Sequence, residues 1–308
     1  MLFGFLVAIG SITEPVIANL VDIDQGGNST NVPTASATFD WYPVLWGSLA
    51  IFTLWIWVHF RFFKLSPHRI PDGNMNGIGG VTGAFVLAFV MLLLATLGKG
   101  FASSGLDMQA EPTLRTMCIL MIGSIVAQLP VAVYFFIKST NRNSFTMPSV
   151  AKMVGLGLIG LILTLPVVLF ALNIGYIIQY WMTGNQDDGI AHGGLQLMLV
   201  SQDKVYLLPV LLMVILVTPL LEEILYRGLV QRGFRAMGFP PWVAIVAASL
   251  PFTMMHLGVV EPPALAGLFI LSLGFGWVYE RGGSIIAPFA FHASFNGVNA
   301  GYALLFSA

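Results

Sequence analysis

Long apolar stretches, each about the length of a membrane-crossing helix, are the feature of this sequence that most restricts its fold. A helix needs about 20 mainly apolar residues to cross the ~30 Å hydrocarbon layer. Such stretches lie at 2–20, 42–60, 79–98, 117–137, 153–181, 204–221, 242–258, 263–279 and 285–306. The composition agrees, because 57% of the residues are apolar, 9% are charged, and the mean hydropathy is +0.85. We predict an all-α fold, a polytopic transmembrane helical bundle of about nine spans. The number falls to eight if the first stretch, which contains Glu14 and Pro15, does not cross.

The basic residues are distributed unevenly between alternate loops, which predicts the orientation in the membrane. One set of loops and span ends holds ten of them: Arg61, Lys64, Arg69, Lys138, Arg142, Lys152, Arg227, Arg232, Arg235 and Arg281. The other set holds three: Lys99, Arg115 and Lys204. Because Lys and Arg near span ends stay on the cytoplasmic side, we expect an integral protein of the cytoplasmic (plasma) membrane. Its N-terminus would be inside and its C-terminus outside.

Charge and cysteine content exclude other classes. The net charge of −1 gives no basic face for phosphates, so the lipid bilayer is an expected partner and nucleic acid is not. The single cysteine, Cys118, lies in an apolar stretch, can form no internal disulfide, and is expected to be a buried structural thiol.

Polar side chains interrupt the apolar helices in the last third of the chain. They are Glu222, Glu223, Arg227, Phe252 with His256, and His292 with Asn296. An ionisable group at membrane depth costs about 3 kcal/mol or more, so it normally faces a cavity or a partner. The sequence therefore predicts that these side chains face a common cavity or pair with one another.

A helical hairpin brings several of these groups to one height. The pattern continues from 204 to about 237, a helix ~50 Å long, so its last part is expected to protrude, with Arg232 and Arg235 anchored at the lipid headgroups. The turn at 238–241 then reverses the chain. Glu222 lies 17 residues before Phe239 and His256 lies 17 after it. We therefore expect a site in the cytoplasmic half of the membrane.

The residue types suit the addition of water to an amide carbonyl. Glu223 and Arg227 are four apart in the favourable order for an ion pair, whereas Glu222 points about 100° away around the helix. Glu222 is then free to act as a base toward water, assisted by His256. His292 and Asn296 offer donors to an oxyanion, and Phe252 is expected to pack against the site.

These residues form three ordered motifs that carry a family resemblance. Residues 222–227 match EExxxR, 252–256 match FxxxH, and 292–296 match HxxxN. In this order, and in membrane helices, they resemble the CAAX protease and bacteriocin-processing (CPBP, Abi-type) family, which includes the type II CAAX prenyl endopeptidase. The resemblance covers about 204–306, roughly the last third of the chain. It implies that 204–308 form a CPBP-like catalytic helical core and leaves 1–203 as N-terminal transmembrane helices of unassigned role.

The resemblance implies an intramembrane endopeptidase. By this resemblance, Glu222 is the general base and His256 assists it. His292 and Asn296 would stabilise the tetrahedral intermediate. Glu223 and Arg227 would support the site. It also implies a glutamate-dependent enzyme with no metal or other cofactor. The expected partner is a membrane-associated peptide or protein substrate.

Three alternatives stay open at this point. A zinc site built from Glu222, His256 and His292 has suitable ligand types, three with one open position. A non-proteolytic membrane partner or immunity protein could retain the same fold and residues. A transporter could also use buried carboxylates, but it would normally show internal repeats, and the sequence contains none that we detect.

Overall fold

The structure is a computed structural model that describes residues 42–59, 62, 64–65, 78–107, 111–140, 149–184, 193–201 and 203–306. These residues form helices joined by turns, with no β-strand among them, so the predicted all-α helical bundle is confirmed. We number the helices α1 Tyr42–His59, α2 Gly80–Ser103, α3 Leu114–Thr140, α4 Val150–Thr183, α5 Gly193–Val200, α6 Lys204–Ala236, α7 Pro241–Met254, α8 Ala264–Gly282 and α9 Ile286–Phe306.

Most predicted stretches correspond to a helix whose ends lie within a few residues of the predicted ones. Within the described residues, four segments are long and apolar enough to cross a membrane, namely Gly80–Ser103, Leu114–Lys138, Val150–Thr183 and Lys204–Ala236. Shorter apolar helices occur at Val44–His59 and Pro241–Met254. The stretch at 2–20 lies outside the described residues, so the count of nine spans stays a prediction. The short α5 was not predicted.

The helices approach closely where small residues face each other. A side chain at Gly98 on α2 would collide with the backbone carbonyl of Gly123 on α3, and one at Gly160 on α4 would collide with Val278 on α8. Glycine at these positions allows backbones to approach within van der Waals contact, which drives helix association in a lipid environment. Cys118 on α3 is buried and unpaired, as predicted.

An aromatic stack joins the N-terminal helices to the C-terminal ones. Phe62, just after α1, lies between Trp57 and Trp277 with ring centroids 4.4 and 3.9 Å away. The indole N–H of Trp277 also donates to the Phe62 carbonyl at 2.9 Å. Together with α4, which packs on α8 and α9, this stack places the first helices directly against the C-terminal bundle. The predicted boundary at 203 stays a prediction.

Helix α6 runs without a break from 204 to 236, as the sequence pattern predicts, but two of its segments are wound as π-helix, Met213–Val217 and Ile224–Gln231. The first segment, together with Pro219, leaves the Val214 carbonyl without a hydrogen bond inside the helix. The Thr218 N–H bonds to the Met213 carbonyl, and Pro219 has no N–H, so neither residue supplies the Val214 carbonyl with an intrahelical donor. The six residues between the π segments, Thr218–Glu223, contain both motif glutamates.

The predicted headgroup position of Arg232 and Arg235 is wrong. Both residues are buried, with 1% and 2% exposure. The Arg235 guanidinium pairs with Glu280 on α8 at 3.3 Å and donates to the Phe239 carbonyl at 2.7 Å. Gln231 donates to the same Glu280 at 3.0 Å. The expectation failed because spacing along α6 gives no information about Glu280, an acceptor on another helix.

Candidate active site

The Glu223 and Arg227 side chains form the predicted ion pair, 3.2 Å apart and with no exposure to solvent. Arg227 also donates to the Ser272 carbonyl at 2.8 Å and to its hydroxyl at 2.7 Å. The guanidinium carbon lies 5.1 Å from the ring centroids of both Phe252 and Phe275. Ser272 was missed because a serine in an apolar helix has no distinguishing pattern. The pair is therefore held between α6 and α8, behind the cavity rather than in it.

Glu222 faces the other way, as its position on the helix predicts. Its side chain is 25% exposed and lines a cavity of about 440 Å³. Its Oε2 lies 3.7 Å from Nε2 of His292, which is too long for a hydrogen bond. The carboxylate thus has an open side toward the cavity, where a water molecule could bind.

His292 connects the two glutamates. Its Nδ1–H donates to Oε1 of Glu223 at 2.9 Å, and its ring stacks on Phe275 with centroids 4.5 Å apart. Because a carboxylate can only accept, this bond fixes a proton on Nδ1. The Nε2 atom, which points toward Glu222, then donates only when the imidazole is protonated on both nitrogens. Spacing along α9 could not reveal this dependence on Glu223.

His256 lies just past the end of α7, two residues beyond Met254, rather than within a helix as predicted. The chain leaves the helix here, and Gly258 adopts a positive φ of 76°. The His256 backbone N–H bonds to Thr253 instead of Phe252. The Phe252 carbonyl accepts from His256 Nδ1–H at 2.8 Å. The neutral ring therefore presents Nε2 as an acceptor.

Phe252 packs among the aromatic rings of the site, as predicted. Its ring is 1% exposed and lies 4.8 Å from that of His256 and 5.9 Å from that of His292. Edge contacts with Tyr226 and Phe275 complete its surroundings. The Phe252 ring thus contacts both imidazoles of the site.

Asn296 donates from Nδ2 to the Val214 carbonyl at 2.9 Å. That carbonyl is the one left over by the π-helical turn and Pro219. An amide nitrogen carries two hydrogens, so one remains for another acceptor. The bond joins α9 to α6 and holds the amide in the cavity wall that Glu222 also lines.

The cavity wall contains Glu222, His256, His292 and Asn296 together, with Phe252 beside them. It also includes residues that the motifs do not predict. Asn299 is 7% exposed, and its Oδ1 has no hydrogen-bond partner in the described part of the chain. It follows His292 and Asn296 at i+7 and i+3, a helical spacing that could have indicated it.

The N-terminal helices supply the opposite wall. Leu92, Ala95 and Lys99 on α2 line the cavity, as do Met117, Met121, Ser124, Ile125 and Gln128 on α3. The wall is mainly apolar, with a few polar groups near the glutamate, an arrangement common in binding sites. The first helices are thus part of the site and not only a membrane anchor.

The described residues contain no group of three His, Cys, Asp or Glu side chains placed to hold a metal ion. Glu222, His256 and His292 line one cavity, but they do not form such a group in the described part of the chain. We derive no step through a metal, and metal independence stays a prediction.

These observations define a class of protein, a helical integral membrane protein with carboxylate, imidazole and amide groups around a buried cavity. Residues 204–298 match the family model described as type II CAAX prenyl endopeptidase, Rce1-like. The resemblance to the CAAX protease family is confirmed for this part of the chain, and it indicates a protease. No curated protein and no solved structure matches the chain.

Proposed function

We propose that this protein is an intramembrane endopeptidase that hydrolyses a peptide bond with water activated by Glu222. The observation that carries the proposal is the cavity, in which one open carboxylate lies with two imidazoles and an amide. The second carboxylate, Glu223, is paired with Arg227 outside the cavity. Glu222 is therefore available to react, whereas Glu223 stabilises the fold through its ion pair.

In the proposed reaction, a water molecule lies between Glu222 and the Nε2 atom of His256, which can accept one of its protons. Glu222 takes a proton from the water as the oxygen adds to the carbonyl carbon of the substrate. The resulting oxyanion accepts from the second Nδ2 hydrogen of Asn296, and from His292 when its ring is doubly protonated. The proton on Glu222 then passes to the amide nitrogen as the C–N bond breaks, which gives a carboxylic acid and an amine. The acid then transfers its proton to the amine or to water and leaves as a carboxylate.

The ring of His292 connects the structural Glu223–Arg227 pair with the group proposed to stabilise the oxyanion. Its bond to Glu223 holds the imidazole in place, and the doubly protonated ring would lie between two carboxylates. The Glu223 and Arg227 pair therefore positions His292 without touching substrate. No metal or other cofactor takes part, and the depth of Glu222 in the cytoplasmic half of the membrane belongs to the same proposal.

The test compares Glu222→Gln with the wild type in proteoliposomes and in cells. Loss of cleavage with unchanged expression and detergent stability is expected, because Gln keeps the shape of Glu but lacks its basicity. Substrates would be found as membrane-associated peptides that stay uncleaved in cells carrying Glu222→Gln. An unchanged peptide pattern, with the variant as active as the wild type, would remove the proposal.

A further inference from the structure

Two neutral polar side chains, Ser124 and Gln128, interrupt the apolar cavity wall that α2 and α3 supply. Both lie on α3, in the part of the chain that precedes the family match at 204–298. A polar side chain among apolar ones in a membrane helix normally has a partner or a function. The proposed reaction uses residues between 222 and 296, and it gives neither of these two side chains a role.

Ser124 fixes the orientation of the Gln128 amide. The Nε2 atom of Gln128 donates to the Ser124 carbonyl at 3.0 Å and to the Ser124 hydroxyl at 3.2 Å. Because a carbonyl oxygen can only accept, the amide atom that faces it must be the nitrogen. Both bonds use Nε2, so the lone pairs of Oε1 stay available to a donor outside this pair. The half-buried Gln128 therefore offers the cavity an oriented acceptor.

Gln128 lies at about the height of Glu222. The first parts of α3 and α6 share one buried cluster. Further along both helices, a side chain at Gly228 on α6 would collide with the ring of Phe135 on α3. The two helices therefore run side by side in the same direction. Gln128 precedes Phe135 by seven residues, and Leu221 precedes Gly228 by the same number. Equal spacing along neighbouring helices thus brings Gln128 level with Leu221, the residue before Glu222.

A peptide bound in this cavity needs an acceptor as well as donors. In a trans peptide group the C=O and N–H bonds point in opposite directions. The proposed reaction turns the carbonyl of the bond to be cleaved toward His292 and Asn296 on α9, so the N–H of the same group points away from α9. Because α6 packs on both α3 and α9, Gln128 lies on the other side of Glu222. A buried N–H without an acceptor is costly, and Gln128 provides the acceptor.

We propose that Gln128 is a substrate-binding residue whose Oε1 accepts from the backbone N–H of the peptide group to be cleaved. The proposal rests on the proposed protease function and specifies its substrate class. The substrate is an extended, mainly apolar peptide with an N–H at the bond to be cleaved. A bond to the nitrogen of proline is excluded, since proline has no N–H. Gln128 holds the substrate and takes no part in proton transfer.

Binding of N-methylated peptides tests this contact separately from cleavage. The protein carries Glu222→Gln and is reconstituted in proteoliposomes, so that bound peptide stays intact. The probe is a short peptide of alternating leucine and alanine with one photoreactive leucine, and the concentration for half-maximal labelling measures its affinity. A set of otherwise identical peptides carries one N-methyl group each, on successive backbone nitrogens. Gln128→Met is compared with Met121→Leu, the matched control in the same wall of α3.

We expect Gln128→Met to raise the half-saturating concentration about tenfold, the scale for one buried donor left without its acceptor. Met121→Leu should change it less than about twofold. N-methylation of one nitrogen should weaken binding by a similar factor when Gln128 is present and cause no further loss in Gln128→Met, because the two groups act as a pair. A purely structural role for Gln128 would not produce this dependence on one peptide nitrogen. If Gln128→Met does not accumulate, Gln128→Leu replaces it.

Unchanged affinity in Gln128→Met would overturn the proposal. So would losses that add at every methylated position, or labelling that does not saturate with any of the peptides. The protease can fail separately, because a Glu222→Gln protein that cleaves like the wild type would refute the base and leave the measured contact intact. Additive losses, together with an inactive Glu222→Gln protein, would refute the contact and leave the base in place.

Discussion

Replacing Arg227 by alanine should destabilise the protein more than any change in the reacting groups. The substitution removes the 3.2 Å ion pair with Glu223 and both hydrogen bonds to Ser272. It leaves the Glu223 carboxylate fully buried, with His292 as its remaining hydrogen-bond partner in the described residues. Breaking one side of a buried pair costs about 3–5 kcal/mol.

Thermal unfolding in detergent measures the effect. A loss of this size should lower the midpoint by roughly 5–15 °C in a chain of this length. Glu222→Gln, five residues before Arg227 and facing the cavity, should change the midpoint little and is the matched control. Ser272→Ala removes only the hydroxyl acceptor and should cost about 1–2 kcal/mol.

A double substitution distinguishes the cost of the unpaired Glu223 carboxylate from other destabilising effects of Arg227→Ala. If the unpaired carboxylate causes the loss, Glu223→Gln combined with Arg227→Ala should be more stable than Arg227→Ala alone. A midpoint for Arg227→Ala higher than that for Glu222→Gln would refute the structural role. The structural role would also be refuted if the double variant lost as much stability as Glu223→Gln and Arg227→Ala lose together when each is measured alone.

The remaining predictions concern activity. Glu222→Gln should abolish turnover with stability unchanged, and more than a tenth of the wild-type rate would remove Glu222 from the role of base. Asn296→Ala should lower the cleavage rate about 100-fold, the scale for losing one oxyanion donor, with the midpoint serving as the folding control. Thorough chelation, checked by metal analysis, should leave the wild type active; stoichiometric zinc that switches activity off and on would contradict this. Pro219→Ala should permit a regular helix that competes for the Val214 carbonyl, releasing Asn296 and lowering activity at unchanged stability; full activity would dissociate the proline from the amide.

The sequence predicts the helices well because long apolar runs in a membrane protein have few alternatives. The ends of α4 and α9 lie within a few residues of the predicted ones, and the Glu223 and Arg227 pair follows from spacing along one helix. Within one helix, the spacing between two residues in the sequence determines their relative direction and height. This is why the different directions of Glu222 and Glu223, about 100° apart around the helix, could be predicted without a structure.

What could not be predicted depends on contacts between helices. The partners of Arg227 and Arg235 are Ser272 and Glu280, each 45 residues later, and no periodicity links them. The π-helical turns were also missed, because hydrophobic spacing does not distinguish them from α-helix over one turn. The bond from His292 to Glu223 was not predicted either, because it joins two helices. The sequence indicated His292 only as an oxyanion donor.

The buried pairing between α6 and α8 has a consequence for biosynthesis. When α6 leaves the ribosome it carries Glu222, Glu223 and three arginines, while Ser272 and Glu280 have not yet been made. Glu223 and Arg227 can pair within α6, but the carboxylate that pairs with Arg235 is Glu280 on α8. A charged side chain without a partner opposes burial in lipid, so we expect the arrival of α8 to stabilise the end of α6. Truncation before residue 272 would then leave Arg235 without Glu280 and destabilise the end of α6.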